Sequence, residues 1–219
     1  MTPPYADTPE TRQAIIDACL QLNADGINQG TSGNVSLRAG DAMLITPSGV
    51  PYDAMTPDMI QPVPLTGDPA PQGPLKPSTE WRFHQALLAA KPDMHAVVHA
   101  HPVHCTALAQ NRRAIPAVHY MVAAFGGHDV PLAGYALFGG EELAQNVTAA
   151  MADRHACLMA NHGATVVGET LAKALWRMGE LETLAQAYIL SLTIGTPHVL
   201  DRLQIEEALA AFTDYGRRD

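Results

Sequence analysis

The sequence predicts an α/β fold in which helices flank a central sheet, in three layers within a single domain spanning residues 1–219. Three observations carry that expectation. Short apolar runs alternate with segments of 3–4 apolar spacing, the mark of interleaved strands and helices. Of the 219 residues, 47% are hydrophobic and 16% charged, which excludes general disorder and supplies a core. No repeat or low-complexity segment divides the chain.

The elements follow in order. Thr8-Pro9-Glu10 gives a first helix its cap and early proline, and its apolar face runs through Ile15, Ile16, Cys19, Leu20 and Leu22 to an end near Gly26. The loop from Asn28 to Asn34 is dense in small hydrogen-bonding residues. Val35–Arg38 and Ala42–Thr46 read as a hairpin turning at Ala39-Gly40-Asp41. Frequent prolines from Pro51 to Pro77 predict irregular chain, with one strand around Met59 to Leu65 and an exposed loop from Thr66. A second helix opens at Pro77-Ser78-Thr79-Glu80, carries Trp81, Phe83, Leu87 and Leu88, and stops at Lys91-Pro92-Asp93. Next come a strand ending in histidines, a helix from Pro102 to Gln110, and extended segments around Ile115–Met121 and Val130–Leu137. A helix then runs through Met151, and Ala156–Ala160 and Ala164–Gly168 flank the turn Asn161-His162-Gly163. A long helix from Thr170 to Leu192 and a tail helix from Leu203 to Phe212 complete the series.

Composition narrows the function. Lys and Arg number 13 against 22 Asp and Glu, a net charge of −9, and the basic runs are only Arg112-Arg113 and Arg217-Arg218. No nucleic acid is therefore expected as a partner. An anionic ligand would be held by local N–H groups and a metal rather than by global attraction. No apolar stretch approaches the roughly 20 residues that cross a bilayer, and Met1 to Arg12 lacks a basic region followed by an apolar run. No membrane association and a cytoplasmic location are expected. Cys19, Cys105 and Cys157 lack C-x-x-C spacing and read as reduced, buried thiols.

In Ala96-Val97-Val98-His99-Ala100-His101-Pro102, two histidines two apart follow an apolar run. Residues i and i+2 of a strand share a face, so His99 and His101 can aim both imidazoles at one point, the spacing a shared metal ion needs. Leu158-Met159-Ala160-Asn161-His162-Gly163 has the same form, an apolar strand ending in a histidine and a glycine. Three neutral imidazoles with an open coordination position describe a catalytic zinc site, one Zn²⁺ per subunit.

Laid out in this way, the chain resembles the class II aldolase and adducin family over about its whole length. The resemblance rests on Asn28-Gln29-Gly30-Thr31, Gly33-Asn34-Val35-Ser36, Leu44-Ile45-Thr46-Pro47 and Glu80-Trp81-Arg82-Phe83-His84. It continues through Val98-His99-Ala100-His101, Val103 to Ala107, Ile115 to Met121 and Tyr215-Gly216. Each piece is short, but their joint order is specific. Thr79 stands where the family often has serine, and Ala100 where asparagine is common; both departures are small.

The resemblance implies a central, mostly antiparallel or mixed sheet. It makes His99, His101 and His162 the zinc ligands, with Glu80 a further ligand when substrate is absent and the catalytic acid/base when substrate displaces it. It assigns phosphate to the loops of Gly33, Asn34, Ser48, Gly49, Ser78 and Thr79, where N–H groups and a helix amino terminus make an anion cradle. Tyr120, reaching across a subunit boundary, becomes a proton donor or oxyanion stabiliser, with Phe138, Phe212 and Tyr215 shaping an aldehyde pocket. A homotetramer with active sites at its interfaces is implied. So is reversible cleavage of a phosphorylated ketose, L-fuculose 1-phosphate, to dihydroxyacetone phosphate and L-lactaldehyde through an enediolate. Lys76, Lys91 and Lys173 lie in no motif resembling a buried nucleophile, so the metal route is preferred to a Schiff base.

Alternatives within the family are decarboxylases, aldolases for another 5-deoxyketose 1-phosphate, and 4-epimerases, which carry aspartate where this chain has Glu80. Outside it stand a metal hydrolase and a non-catalytic interaction module. His104 and His119 are the expected hydrogen-bond partners of the ligating imidazoles.

Overall fold

Alternation along the strands sorts the apolar residues of this chain into two cores, one on each face of a single sheet. The computed structural model describes residues 5–70 and 73–214. Its strands are β1 (Asn34–Ala39), β2 (Ala42–Ile45), β3 (Gln61–Pro64), β4 (Ala96–Ala100), β5 (Ile115–Pro116), β6 (Asp129–Val130), β7 (Leu132–Ala133), β8 (Ala156–Met159) and β9 (Gly163–Gly168). Its helices are α1 (Pro9–Ala24), α2 (Trp81–Ala90), α3 (Val103–Gln110), α4 (Glu141–Ala150), α5 (Leu171–Ile194) and α6 (Arg202–Asp214).

Seven strands form one sheet in the order β3-β2-β1-β4-β9-β8-β7. Every pairing in it is antiparallel except β7 with β8, so the sheet is mixed. On β4, Ala96, Val98 and Ala100 join the core made with α1, α3 and α5, whereas Val97 joins the core made with α2 and α4. Two apolar layers on opposite faces of one sheet are the three-layer arrangement that the interleaved pattern predicts.

Local chemistry sets the helix starts. Thr8 accepts a hydrogen bond from the Thr11 N–H at 3.2 Å and Thr170 one from Lys173 N–H at 3.1 Å. Caps of this kind contribute about 1 kcal/mol each. β4 ends at Ala100, between the two histidines, and Pro102 caps α3 with an extended backbone.

One stretch departs from expectation. Ile115–Met121 and Val130–Leu137 are not long extended segments: β5 pairs only with β6, and a 3-10 helix spans Tyr120–Phe125. Val122 and Phe125, three apart, are both fully buried, which suits a threefold helix rather than a strand. The His119 ring accepts from Met121 N–H at 3.2 Å and starts the turn, and Gly126, at φ 85°, stops it. α6 packs on this segment through Ile205, which is buried against Ala117 and Ala123.

Candidate active site

One row across the sheet is rich in polar residues. Across β1, β4, β9 and β8 the register sets Asn34 opposite His99, His99 opposite Thr165, and Thr165 opposite Cys157. This row shares the α2 face with Val97. His99 is fully buried, and its Nδ1 lies 2.9 Å from the Ala164 carbonyl. A carbonyl only accepts, so Nδ1 is the donor to Ala164 and Nε2 is turned toward the other histidines. That nitrogen lies 3.1 Å from His101 Nε2.

His162 reaches the same point from the turn between β8 and β9. Asn161 holds that turn at φ 53°, a left-handed conformation that asparagine tolerates. Gly163 follows because the strands approach too closely for anything larger. A Cβ there would stand 2.5 Å from the Ala100 carbonyl and 2.6 Å from His101 Cδ2. One potential ligand atom from each of His99, His101 and His162 lies within 4.8 Å of the other two.

Glu80 completes the cluster. It is the residue at the start of α2, yet its side chain makes no bond to the helix end. Instead Oε2 lies 3.2 Å from His99 Nε2 and Oε1 lies 3.3 Å from His162 Nε2. The Asn34 amide donates to Oε2 at 3.0 Å, while buried Oε1 has no hydrogen-bond partner. Burial opposes ionisation of this carboxyl, but the His99 and His162 imidazoles and the Asn34 amide outweigh it and hold the group well below the usual carboxylate range.

These residues fit a divalent cation. Separations of 3.1 Å between the His99 and His101 nitrogens, 3.2 Å from His99 to Glu80 Oε2 and 3.3 Å from His162 to Glu80 Oε1 are close to the edge of a coordination tetrahedron, about 3.3 Å for ligand bonds near 2.0–2.1 Å. The stranded Oε1 is the kind of buried polar atom a metal satisfies. Burial, followed by the neighbouring imidazoles, pushes His101 and His162 down to about 4, so both are neutral near pH 7, as ligands must be.

The cluster opens into a cleft of about 490 Å³. Gly33, Asn34, Ser48, Gly49, Ser78, Thr79, Glu80, Phe138, His101 and His162 all line it. The loop at Pro47 and the loop at Pro77 are joined by a bridge in which Ser48 N–H donates to the Lys76 carbonyl and Ser78 N–H to the Thr46 carbonyl, at 3.0 and 2.9 Å. Two amides expected to face an anion are thus spent on joining the loops. Asn34 is likewise committed: its Oδ1 lies 2.6 Å from His84 Nε2 while its amide N–H serves Glu80.

Other expected residues lie elsewhere in the chain. Tyr120, 54% exposed, stacks on Phe212 at 6.2 Å, and neither lines the cleft. Tyr215 lies outside the described residues. His104 and His119 do not support the ligating rings: His104 Nδ1 pairs with Glu182 at 2.7 Å, and His119 serves the Met121 N–H. A backbone carbonyl does that work for His99, and sequence does not announce a carbonyl.

Thr31, Ser32, Tyr135 and Asn161, to which the sequence assigns no role in the site, also line the cleft. Asn161, next to His162 and tied to Arg112 Nε at 2.9 Å, had a signal in its position. Tyr135 had none.

The chain belongs to the class II aldolase and adducin family: the model of the Class II Aldolase and Adducin N-terminal domain matches residues 13–189. It is 47% identical over 205 residues to the L-fuculose phosphate aldolase of Escherichia coli K12, covering 93% of this chain and 94% of that protein. It is 45% identical over 205 residues to a 5-methylthioribulose-1-phosphate/5-deoxyribulose-1-phosphate aldolase of Rhodospirillum rubrum, covering 94% and 92%. A solved L-fuculose 1-phosphate aldolase superposes with a TM-score of 0.90 at 34% identity, over 94% of this chain and 97% of that one. The L-fuculose-1-phosphate aldolase of Thermus thermophilus superposes with a TM-score of 0.73 at 30% identity, over 86% and 100%.

Proposed function

We propose that this chain is a zinc-dependent aldolase that reversibly cleaves L-fuculose 1-phosphate to dihydroxyacetone phosphate and L-lactaldehyde. We further propose that it works in the cytoplasm as a homotetramer with one Zn²⁺ per subunit. The observation that carries the reading is the placement of Glu80 beside His99 and His162 at the floor of a cleft lined with hydroxyls.

His99, His101 and His162 would hold the metal, with Glu80 filling the remaining position until substrate arrives. The ion, when bound, supplies Lewis-acid stabilisation of negative charge developing on the substrate's oxygens. With the Ser48 and Ser78 amides committed, the phosphate would rest on the hydroxyls of Ser48, Ser78 and Thr79 and on backbone near Gly33 and Gly49. Cleavage breaks the bond between C3 and C4 as the C4 hydroxyl loses its proton; the electron pair passes to the enediolate of the triose phosphate. Glu80, displaced by the substrate and protonated from solvent, would then give that proton to C3 of the fragment, and in the reverse direction would take a proton from C3 and return it to solvent. Tyr120 of a neighbouring subunit would exchange the proton at the aldehyde oxygen, with Phe138, Phe212 and Tyr215 around the aldehyde's carbon chain.

The test is dihydroxyacetone phosphate release from L-fuculose 1-phosphate, with and without a chelator. Chelator-sensitive release is expected, and none from the zinc-loaded protein would overturn the reading. The Rhodospirillum rubrum relative supports a second reading, a 5-deoxypentulose 1-phosphate substrate differing only in the aldehyde half. Comparing kcat/KM for the two ketose phosphates separates them.

A further inference from the structure

A closed chain of hydrogen bonds runs from Glu80 into the core. Glu80 Oε2 accepts from Asn34 Nδ2 at 3.0 Å, Asn34 Oδ1 lies 2.6 Å from His84 Nε2, and His84 Nδ1 lies 2.8 Å from Ser36 Oγ. Asn34 and Ser36 are i and i+2 on β1 and share a face; Glu80 and His84 are i and i+4 at the start of α2 and share another. The two pairs meet in register, and His84 and Ser36 are fully buried.

The polarity of the chain is fixed from one end. An ionised carboxylate only accepts, so Asn34 must turn its N–H₂ toward Glu80 and its carbonyl toward His84. His84 must then carry its proton on Nε2, and its bare Nδ1 must accept from the Ser36 hydroxyl. Complete burial pushes His84 down to about 3, which keeps the ring neutral with a single N–H.

We propose that His84 is a positioning residue for catalysis: with Nδ1 on the Ser36 hydroxyl, its Nε2–H holds the Asn34 carbonyl, keeps the Asn34 amide on Glu80 Oε2 and so leaves Oε1 as the oxygen that moves the proton. Glu80 Oε1 is the carboxylate atom without a hydrogen-bond partner. Without the His84 donor, the Asn34 amide is free to turn its carbonyl to the carboxylate and repel it. The proposal rests on the reading of Glu80 as acid/base.

The experiment compares His84→Leu, His84→Gln and Glu80→Gln in the zinc-loaded protein, measuring kcat, KM and metal per chain. His84→Leu is expected to lower kcat about 10- to 100-fold, the usual effect of removing an outer hydrogen-bond partner, with KM within about twofold and metal content unchanged. His84→Gln places an amide N–H near the position of Nε2 and should restore most of the loss. Adding His84→Leu to Glu80→Gln should cost nothing further, because the carboxylate it orients is gone. A purely structural His84 would lower the double variant again, and that outcome overturns the proposal. So does parental kcat in His84→Leu while Glu80→Gln is inactive. An active Glu80→Gln would instead remove the acid/base reading beneath it. Should His84→Leu not fold, long-range ¹H–¹⁵N correlation of the unsubstituted protein decides: a proton on Nε2 supports the chain, and a proton on Nδ1 refutes it.

Discussion

Asn34 stands directly opposite His99 across the β1–β4 ladder, and from there its amide reaches the Glu80 carboxylate that approaches His99 Nε2 to 3.2 Å. A strand register thus decides where a helix-borne carboxylate rests.

Glu80→Gln should keep its metal and lose turnover by about 10²- to 10⁴-fold, the usual worth of a positioned acid/base. Metal analysis beside a steady-state assay checks both halves. Parental turnover would remove Glu80 from the chemistry.

His162→Ala should fold and fail to retain zinc at one per chain. Dialysis against a weak chelator followed by elemental analysis measures this. Full stoichiometry would show that the three imidazoles are not the ligand set.

Gly163→Ala forces a methyl to within 2.5 Å of the Ala100 carbonyl and 2.6 Å of the His101 ring. Overpacking of this kind costs about 1–3 kcal/mol. The melting temperature should fall by several degrees, since about 2–4 °C accompanies each kcal/mol at this size. Metal affinity should fall with it, because the displaced ring is His101.

The metal-free protein should lose stability on acidification. Burial holds His84 near 3 and His101, His155 and His162 near 4, all below the unfolded value. Between about pH 6.5 and 4 the unfolded chain binds protons that the folded chain refuses, so its share grows as pH falls. Melting temperatures from pH 7 to 4 should decline steadily; a flat profile would contradict the buried, neutral imidazoles.

If Tyr120 serves a neighbour's cleft, the active species is an oligomer. Sedimentation at assay concentration should show one, and Tyr120→Phe should lower kcat without dissociating it. An active monomer would overturn the arrangement.

The convergence of His99, His101 and His162 is legible in the sequence because its signals are local. Two histidines at strand spacing and a third before a glycine need no knowledge of the rest of the fold. The partners of those side chains were not legible. That His84 meets Ser36 and Asn34 depends on α2 lying over β1, a contact between residues 48 and 50 positions apart. The support for His99 is a carbonyl on β9, which every residue carries and no pattern marks. The misjudged segment at Tyr120 failed for a related reason: its β-branched and aromatic residues favour strands, but a side-chain cap at His119 and the threefold burial of Val122 and Phe125 settle it otherwise.

The division of β4 between two cores has a consequence for changing this protein. Ala96, Val98 and Ala100 pack into the core of α1, α3 and α5, while Val97 packs into the core of α2 and α4, on the face that His99 shares. Neighbouring codons therefore answer to different selections. A library varied at Ala96 and Val98 would alter packing on the face away from His99, and one varied at Val97 would alter the face that His99 shares.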